Sequence, residues 1–242
     1  MMLWKFLKIM SKNLFTYKKM PVDLMLTTLE NVLAAYPFPE NENGEKYSYF
    51  AHYRFPLEYI STEFKEMIKF GEMEIKHAEI FYRPGVGEGF DAFIHTDGHE
   101  IVEGLAKINF IIGGEHNTMQ WYVPNVEVTE NHIKKTSVNT KYLSFEPDEV
   151  DMIDETEMSG LYIVNAGIPH GVKMAEGGIN KPRICISLVP KLIGSSNATN
   201  IGCEDAYLRL LYGMFKAGHI KHAEFRNEYE RLLGDSALPI QK

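Results

Sequence analysis

From residue 78 to residue 189 the chain breaks into short β-type runs, and that pattern limits what it can fold into more than any other feature. The runs are AEIFYR (78–83), FDAFIH (90–95), LAKINFII (105–112), NTMQWYVP (117–124), KYLSF (141–145), GLYIVN (160–165), HGVKM (170–174) and RICISLV (183–189). Turn-forming strings such as PGVGEG (84–89), GGEHN (113–117) and EGGINKP (176–182) separate several of them. Runs this short, rich in β-branched and aromatic residues and bounded by Gly, Pro and Asn, read as strands. Eight of them in about 110 residues predict a mainly β fold, a jelly-roll or double-stranded β-helix.

The flanks have a different period. Residues 20–35 and 57–70 carry apolar positions three and four apart and read as helices, with a Pro-, Asn- and Glu-rich loop at 36–47 between them. Residues 204–233 read as two helices joined near Gly218. They are candidates to cap the barrel or to pair two copies as a homodimer. The expected organisation is N-terminal helices and loop at 1–77, a double-stranded β-helix core at 78–190 and a helical extension at 191–242. The first twenty residues hold Lys5, Lys8, Lys12, Lys18 and Lys19 and no acid, with Leu3, Phe6, Leu7, Met10 and Leu14 at helical spacing. That is a basic amphipathic helix, expected to lie on the outside of the domain rather than on a membrane. The string EPDEVDMIDETE (146–157) holds seven acids and reads as a solvated surface loop.

Bulk numbers exclude more than they specify. A chain of 242 residues with 45% hydrophobic content can bury one substantial core. A formal charge of −8 argues against a nucleic-acid backbone as the main partner. Two cysteines, Cys185 and Cys203, make neither a disulfide framework nor a Cys-rich zinc site, so a cytoplasmic, reducing setting is expected. No apolar run is long enough to span a bilayer.

Within the strand-rich region, IHTDG supplies His95 and Asp97, IPHGV supplies His170, and KPRICISL supplies Arg183. Residues two apart on a strand share a face, so His95 and Asp97 are expected to project together, with Gly98 turning the chain. The turn EGGINKP should let HGVKM and RICISLV pair as a hairpin, with Arg183 starting the strand beside His170. Two neutral imidazoles and one carboxylate on one face of a metal leave positions open for a substrate and O2, which suits a non-haem Fe(II). Arginine stays charged when buried and can grip a carboxylate with two parallel hydrogen bonds. Taken singly, each residue has an ordinary reading: a chance His-x-Asp, a turn histidine, a surface cation. Their order and strand context argue for one site.

In this order, His95-x-Asp97, His170 and Arg183 resemble the Fe(II)/2-oxoglutarate-dependent oxygenases of the prolyl-hydroxylase-like and aspartyl/asparaginyl-hydroxylase-like kind. IVNAGIPHGV and KPRICISLV are especially similar to small phage-encoded members of that superfamily, and the likeness covers roughly residues 78–190. It implies a cupin-like double-stranded β-helix, Fe(II) on His95, Asp97 and His170, and Arg183 on the far carboxylate of 2-oxoglutarate. It also implies O2 as co-reactant and hydroxylation, since a halogenase needs a small residue where Asp97 stands. By the same resemblance Tyr82 and Asn109 are cosubstrate-binding candidates. Some relatives carry Ser two residues after the Arg; here that position is Cys185.

Two other classes compete. A metal-binding cupin that uses no 2-oxoglutarate shares the barrel, and Gly89 and Gly167 stand where its motifs place glycines. Asp97, however, replaces its second histidine and Arg183 has no role there. A non-enzymatic binding module would need none of the four residues. The substrate, a small molecule or a peptide side chain, is not legible from the chain.

Overall fold

The computed structural model describes residues 15–21, 26–28, 31–32, 50–52, 54–83, 94–114, 116–136, 139–173, 183–196 and 200–233. Twelve strands form two six-stranded antiparallel sheets among these residues. Sheet one contains β1 (Tyr17–Lys19), β2 (Phe50–His52), β3 (Met73–Arg83), β5 (Ala106–Gly113), β10 (Gly160–Asn165) and β12 (Arg183–Leu192), in the order β1-β10-β5-β12-β3-β2. Sheet two contains β4 (Ile94–His95), β6 (Thr118–Pro124), β7 (Ile133–Lys135), β8 (Lys141–Phe145), β9 (Val150–Glu157) and β11 (His170–Lys173), in the order β7-β8-β4-β11-β6-β9.

Without the edge strands β1 and β2 and the hairpin β7–β8, the chain crosses between sheets at nearly every step. That leaves β10-β5-β12-β3 facing β4-β11-β6-β9, which is the double-stranded β-helix. One predicted pairing is corrected by this order. β11 pairs with β4 and β6, and β12 pairs with β3 and β5, so His170 and Arg183 lie on opposite sheets and not on a hairpin. The spacing allowed either a return or a crossing. Crossing prevails because both strands then sit between two neighbours inside a sheet.

Alternation along the strands divides the interior. On β5, Ala106, Ile108 and Phe110 face a core shared with the helices, while Ile111 joins Met119, Trp121 and Cys185 between the sheets. Helices α1 (Thr62–Phe70) and α2 (Cys203–Lys216) cover the outer face of sheet one with Phe64, Met67, Ile68, Leu210, Leu211 and Met214. Burying each of these side chains contributes on the order of 1.5–3 kcal/mol. Ser61 starts α1, its Oγ accepting a hydrogen bond from Phe64 N. Helix α3 (His222–Leu233) follows after Gly218, as the sequence predicts.

Two further expectations need correction. Tyr17–Lys19 is a strand, not part of a basic helix; residues 1–14 lie outside the described residues, as does most of 20–35. The strand forms because Tyr17 stacks on Trp121 inside the barrel while the backbone adds to the edge of β10. The acidic string is not a loop either. Its first part is a 3-10 turn at Pro147–Glu149, and the rest is β9, paired on one side with β6. Its charges suit an edge strand, where exposed acids discourage pairing with another chain. No helix among the described residues is long and apolar enough to cross a membrane.

Candidate metal centre

His95 and His170 are partners across the β4–β11 ladder, so both imidazoles leave the same face of sheet two. Their ring centroids are 4.6 Å apart. A carbonyl only accepts, so His170 Nδ1 must carry the proton it shares with Ile168 O at 2.9 Å. That fixes the tautomer and leaves the Nε2 lone pair free for a metal. Burial, and then the neighbouring His95, push the His170 pKa down to about 4, keeping the ring in its neutral, ligating form.

Asp97 lies just past β4 in a bend held from two sides. Its own N–H donates to Ala166 O at 2.9 Å, while Thr96 N donates to Leu143 O at 3.1 Å and Thr96 Oγ1 to Gly98 O at 2.6 Å. The β8 strand and the β10–β11 turn therefore clamp the segment between them. Asp97 Oδ1 comes within 3.6 Å of His95 Nε2. One donor atom from each of His95, Asp97 and His170 falls within 4.8 Å of the others. A first-row cation needs bonds of roughly 2.0–2.2 Å to such N and O atoms, so small side-chain movements would close the set around it. Two imidazoles and one carboxylate are also the right donors for iron. The site fits a metal.

The β10–β11 turn has its own support. Asn165 is buried, and its Nδ2 donates to Phe15 O at 2.9 Å while its Oδ1 accepts from Gly167 N at 3.2 Å. A Cβ on Gly167 would meet Val102 O at 1.9 Å, so only glycine lets the turn lie this close to the 101–105 segment.

Lys107 and Glu79 were not among the residues singled out from sequence. Lys107 Nζ reaches Asp97 Oδ2 at 2.9 Å and Glu79 Oε2 at 2.5 Å, and His77 Nε2 lies 3.2 Å from Glu79 Oε1. Burial alone would raise the Asp97 pKa, but the ammonium of Lys107 and the hydrogen bond with His95 hold it far below the usual carboxylate range. Burial acts against the charge on Lys107 too, and its two carboxylate partners more than offset it, so the amine stays protonated. Glu79 is likewise pulled down, against burial, by Lys107 and His77. A signal existed: Lys107 lies two residues before Asn109 on one strand, so the two share a face.

The triad opens into a cavity of about 610 Å³ that also contains Arg183, Asn109, Cys185, Ser187, Met119 and Val172. Arg183 is 4% exposed. A Cβ on Gly114 would stand 2.5 Å from Arg183 Cβ and 2.7 Å from its Cγ, and Gly114 has φ +71°; its bare backbone makes room for the arginine stem. The Asn109 amide reaches the same cavity, and its buried Oδ1 has no hydrogen-bond partner among the described residues, so it can accept from a ligand or water. Cys185 does line the cavity after Arg183, and the hydroxyl of Ser187 follows on the same face.

Tyr82 does not belong to this site. It sits opposite Ile184 on the helix-side face of sheet one, packed in the outer core, because strand parity turns it away from Glu79 and Phe81. Trp121 is fully buried and donates Nε1–H to Asn165 O at 3.1 Å, a packing role. His99 is well exposed beside Glu100 and outside the triad.

No protein-family model matches the chain, and no curated protein sequence does. Solved structures show weak overall likeness. Recombinant oxalate oxidase in complex with glycolate is 8% identical over 81% of this chain and 78% of its own, with a TM-score of 0.28. E. coli ycfD is 13% identical over 75% of this chain and 35% of its own, with a TM-score of 0.28. Peruvianin-I, a cysteine peptidase from Thevetia peruviana latex, is 10% identical over 74% of this chain and 91% of its own, with a TM-score of 0.29. The double-stranded β-helix rests on the strand order itself, and the chemistry on the side chains.

Proposed function

We propose that this chain is an Fe(II)- and 2-oxoglutarate-dependent oxygenase that hydroxylates a C–H bond of a protein side chain or small molecule, with release of succinate and CO2. One observation carries the reading: His95, Asp97 and His170 share a single cavity with the buried cation Arg183. Three protein ligands leave coordination positions for a chelating keto acid and O2. Iron with its cosubstrate supplies the oxidising chemistry when bound.

The chain's own residues hold and shield. His95, Asp97 and His170 are the ligands. Arg183 pairs with the distal carboxylate of the keto acid, and its fork suits two parallel hydrogen bonds. Asn109 can turn its amide to offer Nδ2 to the same ligand, and Ser187 adds a hydroxyl. Met119 and Val172 give the cavity an apolar wall that excludes water. Thr136, Thr140 and Tyr142, from the β7–β8 hairpin, line it as well and are placed to meet the substrate.

The test is anaerobic titration of Fe(II)-loaded protein with 2-oxoglutarate, watching for the visible metal-to-ligand charge-transfer band of a chelated keto acid. A saturable band in the wild type, at least tenfold weaker in affinity in Arg183→Ala, is the expected result. Bound Fe(II) without any band would favour a metal-binding cupin enzyme that uses no keto acid.

A further inference from the structure

Asp97 carries two carboxylate oxygens. A carboxylate free on both sides can take a metal with both oxygens, as carboxylates often do with hard cations. Here the two are already distinguished. Oδ1 lies toward His95 Nε2 at 3.6 Å, and Oδ2 is taken by Lys107 Nζ at 2.9 Å. Lys107 comes from sheet one, across the barrel from the histidine ligands on sheet two, and Glu79 on β3 holds its ammonium from the same side. The cluster of one ammonium and two carboxylates keeps a net charge of −1 for the cation. Without Glu79, Lys107 would cancel the charge of Asp97. His77 steadies the far oxygen of Glu79. Stability alone gives a weak reason for this arrangement, because well-packed apolar side chains often replace a buried ion pair at no cost.

We propose that Lys107, braced by Glu79, is a positioning residue that keeps Asp97 a one-oxygen ligand and so preserves three open positions on the metal. This rests on the metal-centre reading above and deepens it. A two-oxygen Asp97 would occupy one of the positions that a chelating keto acid and O2 need together. Lys107 thus costs the site some metal affinity, since a cation stands beside the ligand, and keeps room for chemistry in return.

Mn(II) is a suitable probe, because the relaxation it imparts to solvent protons reports how many exchangeable waters it carries. Wild type and Lys107→Met are titrated with Mn(II), following free ion by electron paramagnetic resonance and bound ion by water-proton relaxivity. The double variant Lys107→Met/Glu79→Met removes one charge of each sign, so the cluster keeps its net charge of −1 on Asp97, and it serves if the single variant does not fold. In a six-coordinate site, two waters in place of three should lower the relaxivity of bound Mn(II) by about a third, with affinity equal to wild type or tighter. A merely structural role would weaken binding instead. A folded variant with wild-type relaxivity, or one that has lost Mn(II), overturns the inference while the metal centre stands. A wild type that binds no Mn(II) overturns the metal-centre reading, and this inference with it.

Discussion

At the residue scale the informative group is His170. Its ring is neutral in the fold, with a pKa pushed down to about 4 by burial and by His95, against about 6.5 for a free histidine. The unfolded chain therefore binds a proton there at a pH where the folded protein does not. Stability from this group is complete above about pH 6.5 and is lost progressively as the pH falls toward 4. The expected slope approaches about 1.4 kcal/mol per pH unit, and the whole effect is roughly 3 kcal/mol. Urea unfolding of metal-free protein across that range should show it, and His170→Gln should flatten the curve. An unchanged curve in that variant would mean that His170 is not held neutral.

At the element scale the β10–β11 turn does most to build the centre. It presents Ala166 O to Asp97, Ile168 O to His170 and its own backbone to Val102. Gly167→Ala should force this turn outward, at a cost of about 1–3 kcal/mol in stability. It should also weaken metal binding, although residue 167 is no ligand. Chemical denaturation and metal titration of the variant check both, and a destabilised variant with wild-type metal affinity would show that the turn does not position the ligands. The element scale also shows what the sequence could and could not convey. Short runs between turn formers gave away most strands, and the tail helices were plain from their period. His95, Asp97, His170 and Arg183 were legible because their order and spacing are chemical. Which face a residue takes was harder. Tyr82 and Glu79 lie three apart on β3, so one must turn to the helices and the other to the cavity, and a resemblance at the level of residue type cannot say which. Lys107 was hidden in plain alternation, since a lysine between Ala106 and Ile108 reads as the solvent side of a strand until a second sheet covers it. The acids of β9 read as a loop for a different reason: they stay exposed on an edge strand whose partner, β6, is not adjacent in sequence.

At the scale of the whole molecule, a metal that binds only the folded form should raise its stability. With the ion at about a hundredfold excess over Kd the gain is about 2.7 kcal/mol, which for a chain of this length raises Tm by roughly 5–10 °C. Thermal unfolding with Mn(II), and again after EDTA, reads this; an equal rise in His170→Ala would place the metal elsewhere. The barrel also has an edge where its two sheets are tied by Thr16 and β1. Tyr17 stacks on Trp121 with ring centroids 5.1 Å apart, Thr16 Oγ1 donates to Asp154 of β9, and Tyr17 pairs with Val164 of β10. That tie has a consequence in time. A ribosome releases Tyr17 long before Val164, so β1 must wait, unpaired, until β10 has followed it. His170 and Arg183 emerge later still. Such distant pairings close slowly, and the candidate metal ligands come together only once β11 has emerged to pair with β4, when the barrel that shields them can close.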